Sequence, residues 1–229
     1  DATFANRTDQ RNERDPFSPS ELQAIFLAIK RADDAKFWAP ILGLYTGCRS
    51  NEILKLKVAD VRKEDDTDVW YLDINEDQHE TIYQVAGEDV RVHYKLKKSS
   101  HKRCIPIHAD LVEFGFLEFI ERCGNERVFS ERMPNKAGKF SDAYGKWFRR
   151  FLVEIGVKRP KVDFHSFRHN FVDACDGRMP DDIIKRLKGD ARGGTLDRYG
   201  KGKTEIGILA EHLENMKVKG LDLSFLRHR

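Results

Sequence analysis

The chain has 229 residues, with 41 Lys or Arg against 38 Asp or Glu, a formal net charge of +3, and 40% apolar residues that can fill a core. This length suits one large domain or two small ones. No stretch approaches the ~18 uncharged apolar residues that a membrane helix requires, so a membrane-spanning protein is excluded and we expect no membrane partner. The four cysteines form no CxxC pair, which argues against a disulfide framework or a zinc knuckle and favours a reducing compartment.

The amino-terminal residues 1–16 are polar and charged, and they lack both a regular apolar period and the apolar segment of a secretory signal. We interpret them as a flexible linker. Because the sequence begins with Asp rather than Met, we expect a further part of the protein upstream of it. Residues 17–229 are expected to form one domain.

The predicted elements start with Ser-Pro-Ser-Glu at residues 18–21, a capping box followed by apolar residues at helical spacing to about residue 31. A second helix is predicted from about residue 35 to a glycine cap at Gly47, and a third from about Ser50. Strands are predicted at residues 69–74, 89–96 and 104–107, with 75–88 as an extended connection. Further helices are predicted at residues 111–122, 141–155, 163–176, 180–188 and 205–217. This order predicts an α+β fold, mostly α-helical, without repeated βαβ units.

The first candidate functional residue is Arg49, which follows the cap at Gly47 and precedes the third helix. A guanidinium at the start of a helix is suited to holding an anion. Glu52 lies three residues further on, on the same helix face, where it can orient the guanidinium. Taken alone, these two residues fit an ordinary surface ion pair better than an anion site.

The segment HSFRH at residues 165–169 carries more information. On a helix, His165, Arg168 and His169 share one face, and the phenylalanines of this region turn towards the core. A histidine beside an arginine forms a good phosphate site, although a polar helix face is the simpler alternative. The pair His165 and His169 could also chelate a metal, but no third ligand is evident, so we predict no metal site.

Two further segments bear on phosphate chemistry. Six Lys or Arg and no acid occupy residues 91–103, among them Lys95, Lys102 and Arg103, and this run fits a solvated hairpin as well as a phosphate-facing loop. GKGKT at residues 200–204 mimics the end of a nucleotide-binding loop, but Asp197 stands where that pattern requires glycine, so we exclude it. Tyr199 precedes this segment, and a phenol with a reference pKa of about 10 needs cations and a proton acceptor to act as a nucleophile.

Taken together, these segments resemble the catalytic domain of the tyrosine recombinase, or phage integrase, family. TGCRSNEILKL at residues 46–56 resembles its first arginine box, and KKSSHKRCIPIH at residues 97–108 resembles its lysine hairpin. HSFRH at residues 165–169 is similar to the HxLRH box, and LKGD at residues 187–190 with Tyr199 has the spacing of the final box. The resemblance covers residues 17–227 and implies that family's catalytic-domain fold, with a small antiparallel three-stranded sheet.

For activity, the resemblance implies site-specific DNA strand cleavage and rejoining through a 3′-phosphotyrosine at Tyr199, without metal, ATP or another cofactor. Arg49 and Arg168 would hold the scissile phosphate and His165 would assist proton transfer. The hairpin lysine, Lys97 or in the alternative register Lys98, would protonate the leaving oxygen. Lys95, Lys102 and Arg103 are the expected DNA-binding residues, and Glu52 supports the site.

One residue departs from the family pattern. The family places His or Trp after LxG, whereas this chain has Asp190. A carboxylate repels phosphate, which leaves three explanations. The site tolerates the change with a reduced reaction rate, the Asp190 side chain points away from the site, or the protein is inactive. The alternatives to a recombinase are therefore a type IB topoisomerase-like nicking–closing enzyme and a non-catalytic DNA-binding homologue.

The resemblance also implies partners and context. We expect double-stranded DNA with specific attachment sites as the partner, with a homotetramer for the full-length protein and a monomer as the alternative for this fragment. The linker at residues 1–16 would join a DNA-binding domain upstream. A bacterial or phage-encoded protein of the cytoplasm, associated with the nucleoid, is the expected setting. The amphipathic residues 206–216 could dock on their own chain or on a neighbour.

Overall fold

The computed structural model describes residues 14–75, 80–93, 102–124, 126–190 and 204–227. Within these ranges the α-helices are α1 Pro19–Ala28, α2 Ala35–Thr46, α3 Ser50–Lys55, α4 Ala109–Glu113, α5 Phe116–Arg122, α6 Ser141–Glu154, α7 Ser166–Cys175, α8 Asp181–Lys188 and α9 Glu205–Leu213. The strands are β1 Val61–Lys63, β2 Trp70–Ile74, β3 Glu80–Val85, β4 Glu88–His93 and β5 Arg103–Pro106. No described helix is both long enough and apolar enough to span a membrane.

The first two helices confirm the capping signals in the sequence. Ser18 and Glu21 form the predicted capping box, in which each side chain accepts a hydrogen bond from the other residue's backbone N–H. Asp34 caps α2 by accepting from the backbone N–H of Phe37, and Gly47 ends it in the left-handed conformation, with φ of +61°. These caps fix where the chain enters and leaves the core.

Helix α2 lies at the centre of the core, and eleven of its twelve residues are buried. It packs closely against α7: a Cβ atom added at Gly43 would lie 3.3 Å from the Cβ atom of Phe167 in that helix. The ring of Phe167 also contacts the ring of Phe148 from α6, with ring centroids 5.7 Å apart. This aromatic packing fixes α7, the helix that carries the HSFRH segment, against α2.

The sheet differs from the prediction. Strands β1, β2 and β5 form an antiparallel three-stranded sheet in which Leu72 pairs with Val61 on one side and Ile105 on the other. The predicted strand at residues 89–96 instead belongs to a separate hairpin, β3–β4, whose first strand lies in the stretch that we expected to be a connection. The three-stranded sheet was therefore predicted with one wrong member, and β1 was missed.

Local features explain these differences. Strand β1 has three residues, too few to show an alternating pattern. The β3–β4 turn consists of Ala86 and Gly87, both with positive φ, where Asn-Gly or Asp-Gly would be the usual signal. The helix predicted at residues 111–122 is broken into α4 and α5, because Gly115 adopts φ of +87°.

The carboxy-terminal segment packs on its own chain. The guanidinium of Arg31 donates to the carbonyl of Leu226 at 2.6 Å, and the backbone N–H of Lys217 donates to the carbonyl of Ala174 at 3.1 Å. Leu223 and Leu226 are buried against the core. In this structure the segment after α9 therefore packs against helices of its own chain.

Candidate functional site

Arg49 lies at the junction between α2 and α3. Its backbone N–H donates to Glu52 Oε2 at 2.9 Å, and its Nη1 donates to Glu52 Oε1 at 3.1 Å. About a third of the Arg49 side chain, 32%, remains exposed, whereas Glu52 is 9% exposed. The buried carboxylate thus holds the guanidinium in place, and part of the guanidinium stays open to a ligand.

Glu52 is itself held by a buried arginine. Arg103 Nη2 contacts Glu52 Oε2 at 3.0 Å, its Nε donates to the carbonyl of Leu187 at 2.8 Å, and its side chain is 3% exposed. Burial alone would raise the pKa of Glu52, but the charge and hydrogen bond of Arg103 outweigh it and lower the pKa to about 2. The carboxylate is therefore ionised at neutral pH.

This position corrects our expectation for Arg103. The sequence suggested an exposed phosphate contact in a basic run, but the guanidinium lies under the site, with Cys48 Sγ 3.3 Å from Nη2. It connects β5, α3 and the end of α8. No signal in the local sequence distinguishes this arginine from its exposed neighbours, because its partners lie 51 or more residues away.

Arg168 projects from α7 towards Arg49. Its Nη1 donates to the carbonyl of Gly47 at 2.8 Å, and its side chain is 6% exposed. Burial lowers the pKa of Arg168, and the nearby positive charge of Arg49 lowers it further. The structure therefore brings together the two arginines that lie far apart in the sequence, at the point where α2 ends.

His165 lies at the start of α7, beside these arginines. Burial lowers its pKa to about 4, with further contributions from Arg168 and His169, so the imidazole is neutral at neutral pH. Its ring and that of His169 lie 5.5 Å apart and nearly perpendicular. Among the described residues, no group of three or more His, Cys, Asp and Glu side chains could hold a metal ion.

Asp190 faces the site rather than pointing elsewhere. Its Oδ1 accepts from Arg168 Nη2 at 2.5 Å, and its Oδ2 contacts Lys188 Nζ at 2.7 Å. Burial would raise its pKa, but Lys188 and Arg168 outweigh that effect and lower it. Lys188 is a partner that the sequence analysis missed, although it lies only two positions away.

Several predicted residues lie outside the described part of the chain. They are Lys95, Lys97, Lys98 and Tyr199. Lys102 is described and exposed, next to β5. Within the described part of the chain, the candidate site therefore consists of Arg49, Glu52, His165, Arg168 and Asp190, and Arg103 lies beneath these residues.

Comparison with solved structures relates this geometry to known proteins. The integrase from mycobacterium phage Brujita superposes with a TM-score of 0.53 at 16% identity, over 91% of this chain and 60% of that protein. The Tn1549 transposon integrase, solved in complex with circular intermediate DNA, gives 0.53 at 16% identity, over 86% of this chain and 65% of that protein. The chain has the fold of these integrases.

The chain spans less than two thirds of the length of both integrases. No protein-family model and no curated protein sequence matches it. The likeness is therefore one of fold, and the α+β architecture with a mostly helical core that we expected is confirmed at that level.

Proposed function

We propose that this chain is the catalytic part of a tyrosine-type site-specific DNA recombinase or integrase. The observation that carries the proposal is the convergence of Arg49, Arg168 and a neutral His165 at one point of an integrase fold. Two guanidiniums beside a neutral imidazole suit the stabilisation of a phosphodiester as negative charge builds on its oxygens. Such cations can take the place of the metal ions used by many phosphoryl-transfer enzymes.

In the proposed reaction, Tyr199 Oη attacks the scissile phosphorus and its proton passes to His165, which can accept it because the imidazole is neutral. The bond between phosphorus and the 5′-oxygen breaks, giving a 3′-phosphotyrosine. The leaving oxygen takes a proton from Lys97, or from Lys98 in the alternative register. Attack by a 5′-hydroxyl reverses these steps, so rejoining requires neither ATP nor another cofactor.

The side chains beneath the site explain how the Arg49 guanidinium would stay in position to hold a phosphate. Glu52 fixes Arg49, and Arg103 fixes Glu52. Tyr199 lies nine positions after Asp190, and an extended chain of that length reaches about 30 Å, so this tether permits attack on a phosphate bound at Arg168. These relations favour a cleavage site assembled around Arg168.

Duplex DNA with specific attachment sites is the proposed partner, and a homotetramer is the proposed assembly of the full-length protein. The Tn1549 integrase, which shares the fold, was solved with DNA. A bacterial or phage-encoded setting in the cytoplasm belongs to the same proposal. Lys95 and Lys102, close to the hairpin lysine in sequence, are the proposed DNA contacts of that segment.

A second candidate function follows from Asp190. Its carboxylate occupies Arg168 Nη2, the atom that would otherwise donate to phosphate. A non-catalytic DNA-binding protein would tolerate that arrangement, whereas an enzyme requires the phosphate to displace the carboxylate. The two functions differ in whether a covalent protein–DNA adduct forms.

The decisive experiment traps that adduct. The chain and its full-length form are incubated, without metal or ATP, with nicked duplexes taken from the flanks of the source element, and denaturing gels reveal a slow covalent species. We expect an adduct that disappears in Tyr199→Phe and persists in Tyr71→Phe, a matched change in β2. An adduct that survives in Tyr199→Phe would exclude the proposed nucleophile. DNA binding without any adduct from the full-length protein would favour the second function.

A further inference from the structure

A groove beside the candidate site is lined mostly by residues that have no role in the proposed reaction. It is a cavity of about 620 Å³ bordered by Ser50 and His165, with Phe148 among its apolar lining residues. Ser50 directly follows Arg49, and His165 lies three residues before Arg168 on α7. The groove, called here the His165 groove, therefore shares His165 with the candidate site and also includes Ser50, the residue after Arg49.

The rim of the His165 groove is strongly basic. Its charged lining residues are Arg14, Arg149, Lys158, Lys161 and Asp163. Asp163 is paired with Arg14 at 2.6 Å, so the one acidic residue among them is neutralised within the rim. Burial lowers the pKa of Lys158 and the charge of Arg149 lowers it further, whereas the charge of Asp163 raises it.

The basic residues of the rim fall into two groups. The ammonium of Lys158 donates to the carbonyls of Arg159 and Val162, at 2.6 and 2.7 Å, and so braces the loop before α7. Arg149 and Lys161 are exposed, and within the described part of the chain no hydrogen bond or ion pair engages their side chains. These two cations are available to a ligand.

Lys161 also has an unusual backbone. Its φ is +62°, a left-handed conformation that glycine adopts without cost and lysine does not. The carbonyl of Lys161 accepts from the backbone N–H of Asp15, which holds the loop in this form. Lysine is therefore not the residue that this backbone conformation favours, and glycine at this position would relax it.

We propose that the His165 groove binds a DNA backbone phosphate adjacent to the one held at Arg49 and Arg168, with Arg149 and Lys161 as its contacts. This inference rests on the proposed function. Successive phosphates of one strand advance about 3.4 Å along the duplex axis, so a strand bound at the arginines continues past the groove. The apolar floor beneath a cationic rim suits a sugar–phosphate backbone, which presents apolar sugar edges between its charges. Arg149 and Lys161 would act as positioning residues for the DNA.

The test measures binding of a short fluorescently labelled duplex by anisotropy across a series of salt concentrations. Lys161→Gly removes the charge and relaxes the backbone, so the variant is expected to unfold at the same or a higher temperature yet bind DNA more weakly. The slope of log K against log salt is expected to become shallower by about 0.9 for each lost phosphate contact. Arg149→Gln is expected to act in the same way. Lys30→Gly, an exposed lysine after α1, serves as the matched control and is expected to bind like the parent.

The outcomes separate this inference from the proposed function. Weaker binding and a shallower slope in Lys161→Gly, with an unchanged Lys30→Gly, would support the groove. Parent-like binding by both Lys161→Gly and Arg149→Gln would overturn it, even if the parent still formed the Tyr199 adduct. Conversely, if these variants bind weakly as expected but the parent forms no adduct, the groove stands as a DNA contact and the cleavage proposal fails.

Discussion

Asp190 and Arg168 are joined by a hydrogen bond of 2.5 Å between Oδ1 and Nη2. The other terminal nitrogen of Arg168 donates to the carbonyl of Gly47, so both sides of the planar guanidinium are engaged within the chain. A phosphate oxygen that approaches Nη2 must therefore displace a carboxylate, which Lys188 also contacts. Asp190 acts as an internal competitor for the anion that the site is proposed to bind.

Replacing Asp190 by Asn is expected to strengthen DNA binding. The amide is isosteric but uncharged, so Arg168 exchanges a charge-assisted bond for a neutral one and becomes easier for phosphate to capture. A gain of roughly 1 kcal/mol corresponds to about fivefold in Kd, measured by anisotropy with duplex DNA. Asp142→Asn removes the same charge from an exposed pair with Lys146 and is the control. Equal gains in the two variants would show that net charge, not the Arg168 contact, is responsible.

The stability of the protein is expected to fall in mild acid because of His165. Its pKa is about 4 in the folded chain and about 6.5 when unfolded, so only the unfolded state takes up the proton between these values. The contribution of His165 to the free energy of unfolding is complete above pH 6.5 and is lost as the pH falls through 4. His165→Gln should flatten this part of the profile, as measured by urea unfolding at a series of pH values. Solvent reduces the effect, because His165 is an exposed residue even though burial of part of its ring lowers the pKa.

The helical part of the fold could be predicted because its signals are local. Ser18 and Gly47 each mark a helix end through bonds to residues three or four positions away. The strands are harder, because their partners are distant and a three-residue strand such as β1 carries no period. Residues 61–63 form a strand because Val61 pairs with Leu72, and no residue near Val61 in the sequence predicts that pairing.

The same distinction applies to the candidate site. Arg49, His165 and Arg168 could be proposed from motifs, and the structure brings these three side chains together. Arg103 could not, because its burial follows from packing between β5 and α8, and a basic run in sequence does not show which cation turns inward. For the same reason, the sequence does not show whether the Asp190 side chain points towards the site. Tertiary contacts with Leu187 and Arg168 settle both side chains.

Arg103→Met is expected to destabilise the fold strongly. It leaves the Glu52 carboxylate buried without its main partner, a change that typically costs about 3–5 kcal/mol in the free energy of unfolding. Arg62→Met breaks a pair with Asp73 in which the arginine is 50% exposed, and we expect it to cost no more than about 1 kcal/mol. Urea denaturation measures both.

A double variant identifies why Arg103→Met is expected to lose stability. Adding Glu52→Gln to Arg103→Met removes the unpaired charge, so the double variant should recover part of the lost stability. It should not recover adduct formation, because Arg49 no longer has its ionised partner. If the double variant is less stable than Arg103→Met alone, loss of arginine packing rather than the buried, unpaired Glu52 carboxylate is the cause.

Gly47→Ala is expected to impair both the fold and the site. Its φ of +61° costs alanine about 1–2 kcal/mol, and the new Cβ would lie 2.7 Å from the ring of buried Phe171, which adds an overpacking cost of about 1–3 kcal/mol. Gly87→Ala is the matched control, because its φ is +82° and nothing lies within 4 Å of the added atom. The difference in unfolding free energy between the two variants isolates the contact with Phe171.

The variants Gly47→Ala and Gly87→Ala also test how Arg168 is positioned for the proposed reaction. The carbonyl of Gly47 accepts from Arg168 Nη1, so a shift of the backbone at Gly47 moves the guanidinium as well as the ring of Phe171. Adduct formation by Gly47→Ala, measured below its unfolding temperature, should therefore fall, whereas Gly87→Ala should react like the parent. If Gly47→Ala is destabilised but reacts at the parent rate, the Gly47 carbonyl is dispensable for placing Arg168. The bond to Asp190 would then suffice to hold the guanidinium, and Asp190 would be a positioning residue as well as a competitor.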